Sequence, residues 1–230
     1  MKIFAISDLH LSKVVNKPMY IFGDSWSNYW DIIRQDWRNK VSDEDVVLVA
    51  GDVSWGLNFE EAKPDIDEIA ELPGQIVICK GNHDYWWGTM KKMQSFLPEN
   101  IHALHNNCLR FGDVLICGTR LWSIGPTNTD EDNKILYGHE MKRLKNSLEA
   151  MEKERKQTDT VICMLHFPPF DFTQKENDFT ALFHEHGIKK VVYGHLHGDV
   201  CRADPYKKIN GIEYYLTACD QVCNTLVQIL

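Results

Sequence analysis

Aspartate, histidine and asparagine gather in this chain at the ends of short apolar runs. Asp8 and His10 follow the run 2–6, Asp52 follows 46–50, and Asn82, His83 and Asp84 follow 76–79. His166 follows 161–165, and His195 and His197 follow 191–193. In a parallel sheet such ends share one edge, so the groups are expected to converge. Carboxylate, imidazole and amide oxygen together suit manganese, iron or zinc better than calcium or magnesium. The donors Asp8, His10, Asp52, Asn82, His166, His195 and His197 are too many for one ion. They suit two ions bridged by a shared carboxylate, roughly 3.5–4 Å apart, and chemistry on phosphate. Residues i and i+2 of a strand point the same way, so Asp8 and His10, and likewise His195 and His197, are expected to act as pairs. Gly51, Gly81 and Gly194 are expected to let the backbone turn tightly and approach the ions.

The elements that position these groups are legible in outline. The runs are short, rich in Val and Ile and bounded by Gly, Asn or Asp, as expected of strands buried on both faces. Trp26, Tyr29, Trp30, Ile33 and Trp37 follow helical spacing, as do apolar positions over 59–72, where Pro64 is expected to end a first turn or kink the helix. Strand–helix alternation predicts an α/β layered architecture. Residues 109–111 and 114–117, joined by Gly112–Asp113, read as a hairpin, and 118–133 as a loop. A charged helix is expected over 140–156, with Met141, Leu144, Leu148 and Met151 as its core stripe and its charged face in solvent. Asn210–Gly211 marks a second hairpin, and 226–230 a last strand. Without a linker or repeat, residues 1–230 read as a single domain with two facing sheets.

The 230 residues carry a formal net charge of −8, which argues against binding long nucleic acid. The first run is too short for a signal-peptide core, and no apolar stretch is long enough to span a membrane. The seven cysteines are expected to be reduced thiols in a cytoplasmic protein, most of them buried.

The ordered set DLH, GD, GNHD, a lone histidine in LHFPP, and GHLH resembles the calcineurin-like metallophosphoesterase family. Each piece alone is weak; five in family order, spanning residues 1–197, are specific. The resemblance implies a four-layer α/β/β/α sandwich of two facing mixed sheets. It implies two divalent metal ions (Mn, Fe or Zn, with Mn favoured), the first held by Asp8, His10 and His197 and the second by Asn82, His166 and His195, with Asp52 as the bridge. It further implies hydrolysis of phosphate mono- or diesters by a metal-bridging hydroxide. Asn82 then stabilises charge on the phosphoryl oxygens, His83 is the general acid, and Asp84 orients its imidazole.

A small phosphate ester is the expected substrate. A non-catalytic scaffold is the alternative, disfavoured because every expected ligand is present; a nuclease is the other, disfavoured by the acidic charge. Trp55, Trp86 and Trp87 lie just past the motifs, where they line the substrate mouth or support loops. Residues 13–24 and 118–133 are the expected specificity segments. Arg120 reads equally as a phosphate holder or a surface residue. His102, His105, His139, His184 and His186 are expected to have no catalytic role.

Overall fold

The computed structural model describes every residue except 124–130, 171–174, 199–200 and 202. The first half runs β1 (Ile3–Ile6), α1 (Tyr29–Lys40), β2 (Val46–Val49), α2 (Phe59–Ala70), β3 (Gln75–Cys79), α3 (Met90–Phe96) and β4 (Ile101–Leu104). The second half runs β5 (Cys108–Phe111), β6 (Val114–Thr119), α4 (Glu131–Glu154), β7 (Thr160–Leu165), α5 (Asp178–Glu185), β8 (Lys190–Tyr193), β9 (Tyr206–Ile209), β10 (Ile212–Leu216) and β11 (Val227–Gln228). Two sheets result, in the orders β11-β1-β2-β3-β4 and β5-β6-β7-β8-β10-β9. Both are mixed. β1 to β4 are parallel with β11 antiparallel at the edge, and β6, β7, β8 and β10 are parallel with β5 and β9 antiparallel outside them.

Period-two alternation builds the layers. Ile3, Ala5, Val46, Leu48 and Val77 face Val114, Ile116, Ile162, Met164 and Val192 across the space between the sheets. The alternate residues Phe4, Ile6, Val47, Val49, Ile76 and Ile78 pack outward with Ile33, Trp37, Ile66, Ile69 and Met93 of α1, α2 and α3. Leu115, Cys117, Cys163, Leu165 and Val191 do the same with Leu144, Leu148 and Met151 of α4 and Phe179 and Phe183 of α5. Strands covered on both faces explain why the runs are continuously apolar. Thus the expected α/β/β/α layering is observed. All seven cysteines are free thiols. No helix among the described residues is long and apolar enough to cross a membrane.

Four local expectations change. Trp26 is not on α1: it sits in a 3-10 turn, Asp24–Trp26, separated from the helix by Asn28 in the left-handed region at φ 54°. Pro64 does not end a first turn, since α2 runs through it, and Asn58 caps its start by accepting the Glu61 N–H. α4 begins at Glu131 rather than Glu140, with Glu131 and Asp132 acidic in its first turn, where the helix dipole favours them. Trp122 Nε1 donates to Asn133 Oδ1 at 2.9 Å and anchors this earlier start. The part of the expected loop at 124–130 lies outside the described residues. Finally, Glu140 is fully buried, not solvated, because its stretch of α4 faces Thr119 and Arg120 at the end of β6. The Asn210–Gly211 turn is as expected: both residues have positive φ, 49° and 81°, joining the antiparallel pair β9–β10.

Candidate metal centre

Segments leaving β1, β2, β3, β7 and β8 at their C-terminal ends meet in one place. The Asp8 and His10 N–H groups donate to the carbonyls of Gly51 and Asp52 at 3.0 and 2.9 Å, and the Gly194 N–H donates to the His166 carbonyl at 3.0 Å. The two sheets are stitched together there, since the His195 N–H donates to both Asp8 oxygens, at 3.1 and 3.0 Å.

Strand alternation is not what aims these groups. Asp8, His10, Asp52 and His195 lie just past their strands with φ of 58°, 47°, 52° and 69°. Left-handed backbone at a non-glycine residue costs of order 1–3 kcal/mol and persists only where surrounding contacts over-determine it. The glycines do what their positions implied by leaving room. A Cβ on Gly81 would overlap Asp52 Oδ1, and one on Gly194 would overlap Ser7 Oγ and lie 2.5 Å from Asp8 Oδ2.

One atom from each of Asp8, His10, Asp52 and His197 lies within 4.8 Å of the others. His10 Nε2 is 3.3 Å from His197 Nε2 and 3.7 Å from Asp52 Oδ2. Next to this cluster, Asn82 Oδ1 is 2.7 Å from His166 Nε2 and 2.9 Å from His195 Nδ1. His166 Nε2 is in turn 3.5 Å from Asp52 Oδ2. All seven sequence-selected donors are therefore brought together. Asp52 Oδ2 lies between the two imidazole sets, buried and with no hydrogen-bond partner.

The electrostatics explain why a cation fits. Burial and the nearby Asp52 push the Asp8 carboxyl well up, and burial pushes Asp52 up to about 6. Burial drives His166 and His195 down to about 3 and His10 and His197 below the usual range, so the rings are neutral and their nitrogen lone pairs available. His166 Nδ1 is 3.0 Å from the Ala50 carbonyl, which places its proton there and turns the Nε2 lone pair into the site. Two buried carboxylates among neutral rings, one oxygen orphaned, form a donor set that wants positive charge.

His83 stands beside the cluster, its ring 4.5 Å from Trp55 and 5.5 Å from His10, its N–H donating to Asp52 Oδ1 at 2.8 Å. Burial lowers its pKa. Its Nδ1 has no partner, and none of the Asp84 hydrogen bonds goes to it. Asp84 is occupied elsewhere: it accepts the N–H groups of Asp52, Val53, Ser54 and Gly81 at 2.7–3.2 Å and Trp86 Nε1 at 3.0 Å. It ties the turn after β2 to the turn after β3. Trp86 is accordingly buried packing, whereas Trp55 stacks on the His10 ring at 4.7 Å under the Lys17 ammonium.

Three contributors were not visible in the motif. Ser7 Oγ donates to Asp8 Oδ2 at 2.6 Å. Asp220 accepts the Gly198 N–H at 2.6 Å, its charge partly offsets the burial that lowers the His197 pKa, and its Oδ1 is buried without a partner. Arg120 accepts the His166 and Phe167 N–H groups at its carbonyl. Asp220 and Arg120 both follow apolar runs, so the signal that found the ligands applies to them too.

Two mixed sheets flanked by helices, with a buried carboxylate–imidazole–amide cluster where their parallel strands end, define an α/β protein with a candidate centre for divalent metal ions. The chain belongs to the calcineurin-like phosphoesterase family, whose sequence model matches residues 1–199. Solved structures of similar fold include the phosphopantetheinyl hydrolase of Mycobacterium tuberculosis, 11% identical, covering 100% of this chain and 95% of that one at a TM-score of 0.60. The protein TT1561 of Thermus thermophilus is 12% identical over 98% and 96% of the two chains, also at 0.60. The protein AQ665 of Aquifex aeolicus, of unknown function, is 13% identical over 99% and 95% at 0.52. At these identities the likeness is one of fold. No curated protein matches the chain.

Proposed function

We propose that this protein is a metal-dependent hydrolase of small phosphate mono- or diesters, working with two divalent ions. The observation that carries this reading is Asp52 Oδ2, orphaned and buried between His10 Nε2 at 3.7 Å and His166 Nε2 at 3.5 Å. Asp8, His10, Asp52 and His197 would hold one ion; Asn82, His166, His195 and again Asp52 the other. The N/O donor set suits manganese, iron or zinc, and manganese is the choice the family resemblance favours. Bound there, the ions supply Lewis-acid activation of water and of the phosphoryl oxygens.

The side chains do the rest. Asn82 turns Oδ1 toward His166 and His195, and its amide NH₂ can donate to a phosphoryl oxygen as charge builds there. His83, partly buried beside the cluster, delivers a proton to the leaving oxygen. A phosphoryl dianion arriving beside the ring favours its protonated form, against the burial that lowers its pKa. Asp84 acts on the reaction through the backbone, holding Asp52 and Asn82 in register. The phosphopantetheinyl hydrolase fold neighbour is consistent with hydrolytic chemistry on such a frame.

The test is a panel of p-nitrophenyl phosphate, bis-p-nitrophenyl phosphate and alkyl phosphates with added Mn²⁺. Turnover abolished by EDTA and restored by Mn²⁺ is expected. A fully metal-loaded protein that hydrolyses none of them would refute the reading.

A further inference from the structure

Next to the Asn82–His166 half of the centre lies a separate cavity of about 550 Å³. Lys80, Lys92, Arg120 and Arg143 line it, with Glu140 as its carboxylate and Trp87 in its wall. Its histidines apart, the lining has a net charge of +3, on a chain whose formal charge is −8. The cavity is joined to the centre through the chain. Lys80 immediately precedes Gly81–Asn82, and the Arg120 carbonyl accepts the His166 N–H at 3.2 Å.

Glu140 cannot neutralise this lining. It is fully buried and accepts from Thr119 Oγ1 at 3.0 Å, from Arg120 Nη2 at 3.1 Å and from Arg143. Its effect is to fix two guanidinium groups side by side. Arg120 Nε remains buried with no partner. Lys80 makes no hydrogen bond or ion pair among the described residues. A structural ion-pair network sets an acid against each base; here one carboxylate serves two guanidinium groups, and Lys80 and Lys92 have no acid partner among the described residues. Paired guanidinium forks and mobile ammonium groups are the donors that recognise a phosphate dianion.

We propose that this cavity is the subsite for a second phosphate, so that the substrate is a phosphoester carrying another phosphoryl group beside the one hydrolysed. This substrate class rests on the phosphohydrolase reading above. The continuity of Lys80 and Arg120 with the Asn82 and His166 segments makes the second phosphate part of one bound molecule, with its other end at the metal centre.

Two measurements test it separately from that reading. In the first, protein stripped with EDTA and dialysed is titrated calorimetrically with inorganic phosphate. Binding is expected, weakened at least tenfold in the Lys92→Gln/Arg143→Gln double variant, whose far-UV circular dichroism is checked against the parent's. No binding, or binding the variant does not weaken, overturns the subsite. In the second, Mn²⁺-loaded protein is given alkanediol bisphosphates of two to six carbons and the matching monophosphates. At least one bisphosphate should show a kcat/KM tenfold or more above its monophosphate, an advantage, read as the ratio of the two, that the double variant loses. Hydrolysis of the monophosphates with no such advantage at any length overturns the substrate class. Hydrolysis of neither series refutes the phosphohydrolase reading, and with it the substrate class, while the titration still decides whether the cavity holds phosphate.

Discussion

The Asp84 carboxylate accepts the backbone N–H of Asp52 at 2.9 Å, across 32 residues of sequence. Four further donors converge on the same side chain. Asp84→Ala would strand these buried donors, each worth about 1–3 kcal/mol when left unsatisfied. We expect a loss of at least about 3 kcal/mol of stability in urea unfolding, together with weakened Mn²⁺ binding. A variant as stable as the parent would mean that Asp84 does not hold these turns.

His83→Ala should separate proton delivery from metal binding. Turnover of alkyl phosphates, whose leaving groups need a proton, should fall by about 10²–10⁴. Turnover of p-nitrophenyl phosphate should fall much less, and calorimetric Mn²⁺ affinity should stay within a few-fold. Equal losses on both esters would remove the general-acid role.

Gly194→Ala places a methyl group 2.5 Å from Asp8 Oδ2 and against Ser7 Oγ. Asp8 and Ser7 are fully buried, so neither can retreat into solvent. Metal affinity should drop at least tenfold, as read by Mn²⁺ titration, with far-UV circular dichroism unchanged. Gly138→Ala, where a Cβ would meet nothing within 4 Å, is the control and should leave affinity unchanged.

The pH dependence of stability can be read at Asp159, away from the centre. Arg110 grips it through two nitrogens at 3.1 and 2.8 Å, and the Lys156 N–H adds a third bond at 2.7 Å. These hold its pKa down to about 2. The folded chain therefore binds the proton less readily than the unfolded one, so this contribution is complete above the ordinary carboxylate range. It is lost as pH falls from about 4 through about 2. Asp159→Asn should flatten the fall of urea stability over that window; an unchanged slope would show that the pair contributes nothing to acid unfolding.

The ligand set was legible because of where the ligands sit. Strands covered on both faces read as unbroken apolar runs, and a donor that ends such a run has little else to do but line the sheet edge. Ser7, buried inside the continuation of β1, has no such contrast. The backbone conformation of Asp8 and His10 was not legible, since left-handed turns at Asp and His leave no compositional mark. The adjacency of His83 and Asp84 misled: neighbouring side chains after a strand diverge, and the turn sends one carboxylate inward to five donors. Glu140 misled for a related reason. A charged residue on a charged helix reads as solvated until the partner it packs against, here Arg120, is known.

Two ions sharing Asp52 are the core of the proposed chemistry, and a metal titration reads them out. Initial rates of p-nitrophenyl phosphate hydrolysis are measured as metal-free protein receives Mn²⁺ in steps. Activity should be absent in EDTA, rise until about two equivalents are bound, then level off, with Asp52→Asn inactive throughout. A plateau at one equivalent, or hydrolysis that Asp52→Asn retains, would contradict it.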